Sequence, residues 1–376
     1  MDIYLPSMPA MTTALSATAT EVQLTLSVYM FGWGFAQLFA GPVSDRVGRR
    51  PSIMWGLVVF IVATVVCALS RDVWMLIAAR FVQAASMATV AVVPRAVVRD
   101  LHAGDRAAHL LSTMMLVLGV APVLGPIIGA ELHLYFGWQA SFVFVAIYAA
   151  LALIAVKFAL PETLVKPDID ALKPRRMLGN WTHALASREF IGYLLTCAFT
   201  ACGLFAFLAG SAFVFVDVLE SGERGYAIYF GTVMIGNFAG SLLARRVVIR
   251  VGLARLVAWG TLLQLVAGCT MALLAWLDVR HAFAIVGPMF AFMVGFMWTL
   301  PQATAGAMTP FPHMAGSVSS LLSFVQFALA AGAALLVGVT FDGTSRPMAS
   351  VIAISGVLSF AAFRLFVRSG DRIHRG

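Results

Sequence analysis

Charge is what this sequence has least of. Only 11% of its 376 residues are Asp, Glu, Lys or Arg and 61% are hydrophobic, whereas ordinary soluble domains carry about 25% charged residues. That balance excludes a soluble globular protein and fits a membrane protein with several spans. Cysteine is scarce as well. Cys67, Cys197, Cys202 and Cys269 all lie in apolar stretches, with no Cys-x-x-Cys pair and no His/Cys cluster. No disulfide framework and no metal site is therefore indicated. The absence of a Walker loop, a His-Glu-x-x-His and a Gly-x-Ser-x-Gly argues against an ATP-driven pump and against an enzyme. A net charge of +8 would suit a nucleic-acid partner, but the positive residues sit in short connections between apolar stretches. There they act as topology signals, and no nucleic-acid partner is expected.

What the chain has in quantity is apolar sequence in runs of about 20 residues, the length that crosses a bilayer as a helix. Spans are expected near 23–43, 52–69, 74–98, 108–131 and 139–160, then near 190–216, 226–247, 254–277, 281–305, 316–340 and 348–367. The opening stretch, Asp2 to about Leu15, is too short for a full crossing and has no signal-peptide pattern. It reads as the remainder of a first helix truncated at its N-terminus. The polar segment 161–189 divides the chain into two halves, 1–160 and 190–376, with 161–189 as the central loop.

Loop charges give the orientation. Arg46, Arg49, Arg50, Arg99, Arg106, the central segment with Lys166, Lys173, Arg175, Arg176 and Arg188, then Arg245, Arg246, Arg250, Arg255 and the tail beyond Arg368 collect on one side. Arg71, Arg224, Arg280 and Arg346 are left on the other. By the positive-inside rule the first side is cytoplasmic, and the C-terminus with it.

One connection stands out: Gly41-Pro-Val-Ser-Asp45-Arg46-Val-Gly48-Arg49-Arg50-Pro51, read as a tight basic loop between two spans. It resembles the signature loop of the major facilitator superfamily, G-x-x-x-D-R-x-G-R-R, with every defined position filled. A worn copy is expected at Gly240-Ser-Leu-Leu-Ala244-Arg245-Arg246. The fold class that follows is all-α integral membrane, a major facilitator fold of two six-helix halves.

Ionisable residues inside a bilayer are costly and read first as functional. Asp2 is one, since a carboxylate in a low-dielectric cavity is expensive to keep charged and is suited to carrying a proton. Arg80 in the fourth span is the other, with Gln83 beside it and Tyr4 beside Asp2. Arg80-Phe-Val-Gln83 resembles the superfamily's Arg-x-x-Gln signature, with Ala84 in place of the usual Gly; a snorkelling, structural role for Arg80 is the alternative. Glu21, Glu131, Asp217, Glu220 and Asp342 fall at helix ends and read as wetted surface groups. In the fifth span, Pro122, Gly125, Pro126 and Gly129 supply bending and close approach. Their pattern resembles that of drug:proton antiporters, with Ala130 replacing the last Gly. Asp100 is the expected ion-pair partner of the loop arginines. Tyr29, Phe207, Trp298 and Phe324 are candidates to line an apolar cavity.

Asp2-Ile-Tyr-Leu-Pro-Ser-Met-Pro9, Val22-Gln-Leu-Thr-Leu-Ser27, Val98-Arg-Asp-Leu101, Leu160-Pro-Glu-Thr-Leu164 and Ala315-Gly-Ser-Val-Ser-Ser320 together resemble the bicyclomycin-resistance (Bcr/CflA) family of multidrug exporters. The likeness runs from Asp2 to about Gln326. It implies a multi-pass protein of a bacterial inner membrane, monomeric, with lipid and a small-molecule substrate as its partners. The same likeness implies export of small amphipathic compounds by alternating access, with the proton as coupling ion and no other cofactor. It also implies that the loop 41–51 and Asp100 hold the cytoplasmic side closed. One acid in an apolar cavity favours neutral or cationic lipophilic compounds. A metabolite exporter or facilitator of the same fold, with L-cysteine among the substrates, and a transport-dead receptor or scaffold are the competing readings.

Overall fold

The computed structural model describes residues 2–102, 104–164, 167–168, 172–311 and 314–367. Lys166, the side chains of Arg99 and Arg176, and the basic tail from 368 onward, all used above for orientation, lie outside the described residues. Every regular element among those described is helical. A 3-10 segment, Asp2–Ser7, leads into α1 (Met8–Ala14). There follow α2 (Ala19–Val47), α3 (Arg49–Ala68), α4 (Val73–Leu101), α5 (Gly104–Phe136), α6 (Gln139–Ala159), α7 (Pro174–Leu185) and α8 (Arg188–Phe213). The chain continues as α9 (Gly222–Val251), α10 (Leu253–Trp276), α11 (Phe283–Met308), α12 (Ala315–Val339) and α13 (Arg346–Ala362).

Helices suit so apolar a chain because each satisfies its own backbone N–H and C=O groups, which lipid cannot do. Among the described residues, α3, α4, α6 and α8–α13, nine helices, are long and apolar enough to cross a membrane, and Val120–Phe136 of α5 is a shorter apolar stretch. Helix α2 is not among the nine, although it has 29 residues; Gln23, Thr25, Ser27 and Gln37 dilute its apolar run. Its start is fixed by a capping box, in which Thr18 Oγ1 accepts from Glu21 N and Glu21 Oε2 accepts from Thr18 N at 2.8 Å. Asp72 caps α4 in a similar way, accepting from Trp74 N and Met75 N.

Helix α8 is enclosed. It packs on α11, α12 and α13 and touches α2, and most of its residues from Phe190 to Phe213 are buried. Helix α6, which borders α3 and α5, instead turns Ile147, Tyr148, Leu151 and Phe158 outward, an apolar surface that suits lipid. Helix α2 packs on both α4 and α12, and α5 packs on the 3-10 segment and on α9.

Three sequence expectations change here. The stretch 41–51 is not a loop: α2 runs unbroken to Val47, α3 begins at Arg49, and Gly48 alone, at φ +113°, separates them. Only glycine takes that backbone conformation without strain, so one residue does the work expected of a loop. The worn copy also shifts register. Helix α9 continues through Gly240 and Arg246 to Val251, and the matching break is Gly252, at φ +82°, just before α10. Arg250-Val-Gly252 thus answers Arg46-Val-Gly48, while Gly240 marks a close approach of α9 to the Val294 carbonyl of α11. Finally, the central loop contains the helix α7. Its Asn180 amide donates to Ser317 Oγ and its Trp181 indole to the Ser317 carbonyl, docking it on α12.

Candidate functional site

Arg80 lies on α4, about 12 Å along the helix from the Asp72 cap. It is 3% exposed and does not snorkel. Its guanidinium is 4.4 Å from the ring centre of Tyr4, 4.1 Å from that of Tyr29 and 5.9 Å from that of Phe142. Four elements thus meet on one cation: the 3-10 segment, α2, α4 and α6. Arg80 Nη1 donates to Gln83 Oε1 at 2.6 Å, and Gln83 Nε2 donates to Thr64 Oγ1 on α3 at 2.7 Å. The Tyr4 and Thr25 hydroxyls lie 3.3 Å apart. Arg80 Nε and Nη2 are buried without a hydrogen-bond partner among the described residues.

A cation over a ring is worth up to about 2 kcal/mol once desolvated, and two rings flank this one. Burying a charge still costs several kcal/mol unless it is paired. The arrangement therefore holds a cation whose remaining N–H groups are unspent, a state that favours an incoming acceptor oxygen.

Asp2 forms no ion pair with Arg80 among the described residues. The first segment is packed on α5, where a Cβ at Gly125 would stand 3.5 Å from Asp2 Cβ and a Cβ at Gly129 would collide with the Ile3 carbonyl. The antiporter-like glycines thus seat the segment that carries Asp2 and Tyr4. Pro122 and Pro126 lie inside the continuous helix α5.

The four cavity candidates do not share one role. Tyr29 belongs to the Arg80 cage. Phe207 has no accessible surface, packed between Phe215 and Phe230, and so lines no cavity in this state. Trp298 commits its indole N–H to the Gly240 carbonyl, tying α11 to α9. Phe324, half-buried on α12, presents its backbone to Gly34 of α2.

The second cluster surrounds the α2–α3 break. Arg49 pairs with Asp45, its Nε donates to Asp100 Oδ2 at 3.1 Å, and its Nη1 donates to Ser44 Oγ at 2.7 Å. Asp100 was the expected partner, and Arg49 is the arginine that takes it. Arg50 reaches the Lys157 carbonyl at 2.7 Å, while Arg46 points outward. Gly41 faces open space.

Glu162 completes the cluster. Burial acts to raise its carboxyl, but backbone N–H donors from Leu164, Arg49, Arg50 and Thr163 outweigh burial and hold it below the usual carboxylate range. Its Oε1 accepts from Arg49 N at 3.0 Å and its Oε2 from Arg50 N at 3.1 Å, so a distant residue caps α3. A Cβ at Gly48 would lie 2.7 Å from Glu162 Oε2, a second reason for glycine there. Thr163 Oγ1 adds a bond to Asp100 Oδ2 at 3.2 Å. In the sequence, Leu160-Pro-Glu-Thr carries only a family likeness, and the one local signal of Glu162 is an acid just past an apolar run.

Because Glu162 holds its proton less readily in the folded state, its contribution is present above the ordinary glutamate pKa and lost as pH falls through the lowered value. Glu162→Gln is expected to melt below the parent at pH 7 and to converge with it in acid. Thermal unfolding in detergent across that range checks this; equal melting at pH 7 would remove Glu162 from the cap.

A family model, Major Facilitator Superfamily, matches residues 1–335. The bicyclomycin resistance protein homolog of Haemophilus influenzae is 30% identical over 377 residues, covering 100% of this chain and 94% of its own. Multidrug resistance protein D of Escherichia coli is 31% identical over 86% of this chain and 81% of its own length. For the chloramphenicol resistance protein of Pseudomonas aeruginosa the figures are 29%, 85% and 76%. In fold, the chain resembles the E. coli xylose transporter XylE in its partially occluded inward-open conformation, with a TM-score of 0.75 at 13% identity, over 97% of this chain and 93% of that one. With every regular element of the described residues helical and the family model spanning most of the chain, this multi-pass bacterial membrane protein belongs to the Major Facilitator Superfamily.

Proposed function

We propose that the chain exports small amphipathic compounds in exchange for protons, by alternating access between two groups of helices, residues 1–160 and 190–376, joined by 161–189. The observation that carries this reading is the buried, unpaired Arg80 in its aromatic cage, next to the segment bearing Asp2. Contacts support the grouping: α2–α4, α3–α4 and α3–α6 on one side, α8 with α11–α13 and α10 with α11 on the other, meeting along α2–α12 and α5–α9. Such a layout places substrate at the interface of the groups. The names of the relatives, which speak of bicyclomycin, chloramphenicol and multidrug resistance, support drug-like cargo.

Arg80 refines the cargo. A buried cation with free N–H donors repels cationic compounds and favours neutral ones with acceptor oxygens. Asp2 is the proton carrier in this reading, and Arg80 and Gln83 meet the substrate. On the cytoplasmic face the Arg49 cluster serves the gate from one side, bracing the ends of α2, α3 and α4 against one another. At about 100 mV and one pH unit, each proton supplies roughly 3.7 kcal/mol, enough for a several-hundredfold gradient.

Asp2→Asn keeps the shape and removes the titrating group. Efflux of chloramphenicol driven by a pH gradient in proteoliposomes is expected to fall at least about tenfold, which corresponds to ~1.4 kcal/mol, while downhill exchange persists. Undiminished gradient-driven efflux would exclude Asp2 as the carrier.

A further inference from the structure

At the end of α5 remote from the Arg49 cluster, an ion pair and a histidine–carboxylate contact join α5 to α9. Arg224 Nε lies 2.8 Å from Glu131 Oε1, and Arg224 Nη2 lies 3.0 Å from Glu131 Oε2, a parallel two-bond fork. Beside it, His133 Nε2 is 3.7 Å from Glu223 Oε1. On the same face, Thr20 at the start of α2 donates to the Gly338 carbonyl at the end of α12 at 2.7 Å. Helix-end acids such as Glu131 read from sequence as wetted surface groups, yet this one is held by a residue 93 positions away.

We infer that Glu131–Arg224, backed by His133–Glu223, is a latch that holds the two helix groups together on the face opposite the Arg49 cluster and so sets which side of the protein is open. The inference rests on the two-group reading above. Its physical case is geometric. A bidentate fork is strong only when both partners are placed within a few tenths of an ångström, so separating the ends of α5 and α9 removes it outright. Both partners are substantially exposed, with side-chain exposures of 63% and 44%. The pair therefore adds little to folding, but a small difference present in only one of two states shifts their populations directly. The Arg49 cluster has no such reach. Its bonds join α2, α3, α4 and the segment after α6, all within one group, so it stiffens that group rather than clamping the two together.

Distances between spin labels test this without any need for transport. Arg71→Cys, between α3 and α4, and Arg280→Cys, between α10 and α11, place labels on the latched face, one on each group. Only Cys269 need be replaced, since Cys67, Cys197 and Cys202 are buried. Glu131→Arg and Arg224→Glu are each expected to raise the long-distance population about threefold, and Arg224→Gln to raise it less. The charge swap, Glu131→Arg with Arg224→Glu, is expected to restore the parent distribution. Unchanged distances in both single reversals, or a swap that fails to restore them, would overturn the latch. Shifted distances in a protein that exports nothing would count against the transporter reading and leave the latch standing.

Discussion

Arg80→Lys is expected to stop efflux as completely as Arg80→Met, with a loss of at least about tenfold in each, or ~1.4 kcal/mol. The reason lies in shape rather than charge. A guanidinium is a plane that lies against the Tyr4 and Tyr29 rings and still offers a fork of donors at its edge. A lysine ammonium is a compact, strongly hydrated point charge on a flexible stem, which does not stack between two rings while bonding Gln83 Oε1. Stability is expected to follow a different course. Arg80→Met loses the ring contacts, about 2 kcal/mol, and also removes a buried cation with two unspent N–H groups. Replacing buried charge by an apolar residue is often neutral or stabilising by about 1–4 kcal/mol. The two effects offset each other, so the melting temperature should stay within about 3 °C of the parent. Efflux assays and thermal unfolding on the same preparations check this. A large drop in melting temperature would make Arg80 a structural residue.

Gly129→Ala and Gly125→Ala are expected to differ sharply, although both belong to one motif. A Cβ at Gly129 would run into the Ile3 carbonyl oxygen, with the carbonyl carbon at 2.7 Å. These are backbone atoms, so no rotamer change relieves the clash and the Asp2–Ser7 segment must leave α5. Overpacking of that kind costs about 1–3 kcal/mol, and it displaces Tyr4 from the cage, so export should fail. At Gly125 the added carbon would sit 3.5 Å from Asp2 Cβ, an ordinary contact. There the change in stability should stay within about 0.5 kcal/mol, with export near the parent level. Equal effects at the two positions would contradict the packing of the first segment on α5.

The two positions show how far a motif can be read. Gly125 and Gly129 have equal standing in Pro122-Val-Leu-Gly125-Pro126-Ile-Ile-Gly129, because sequence records the absence of a side chain and not what occupies the space. Arg80 is a similar case. Its cost in a bilayer marked it from the sequence, but its cage is made by residues 4, 29 and 142, brought together only by packing. Asp2 is similar too: its Cβ comes within 3.5 Å of the space a Cβ at Gly125 would fill, a contact with α5 that no local spacing records. Glu162 shows in the sequence only as an acid just past an apolar run, because the helix end it caps lies 113 positions away.

The helical class, most of the spans and the family were legible in the sequence alone. These follow from local quantities: the length of apolar runs, the arginines between them, and glycines at fixed spacing. Tertiary structure alone decided the rest. It showed one glycine breaking two helices where a loop was expected, moved the internal copy to Arg250-Val-Gly252, and joined Glu131 to Arg224. Each of these depends on backbone angle or on residues far apart in the chain, and both are set when the helices pack.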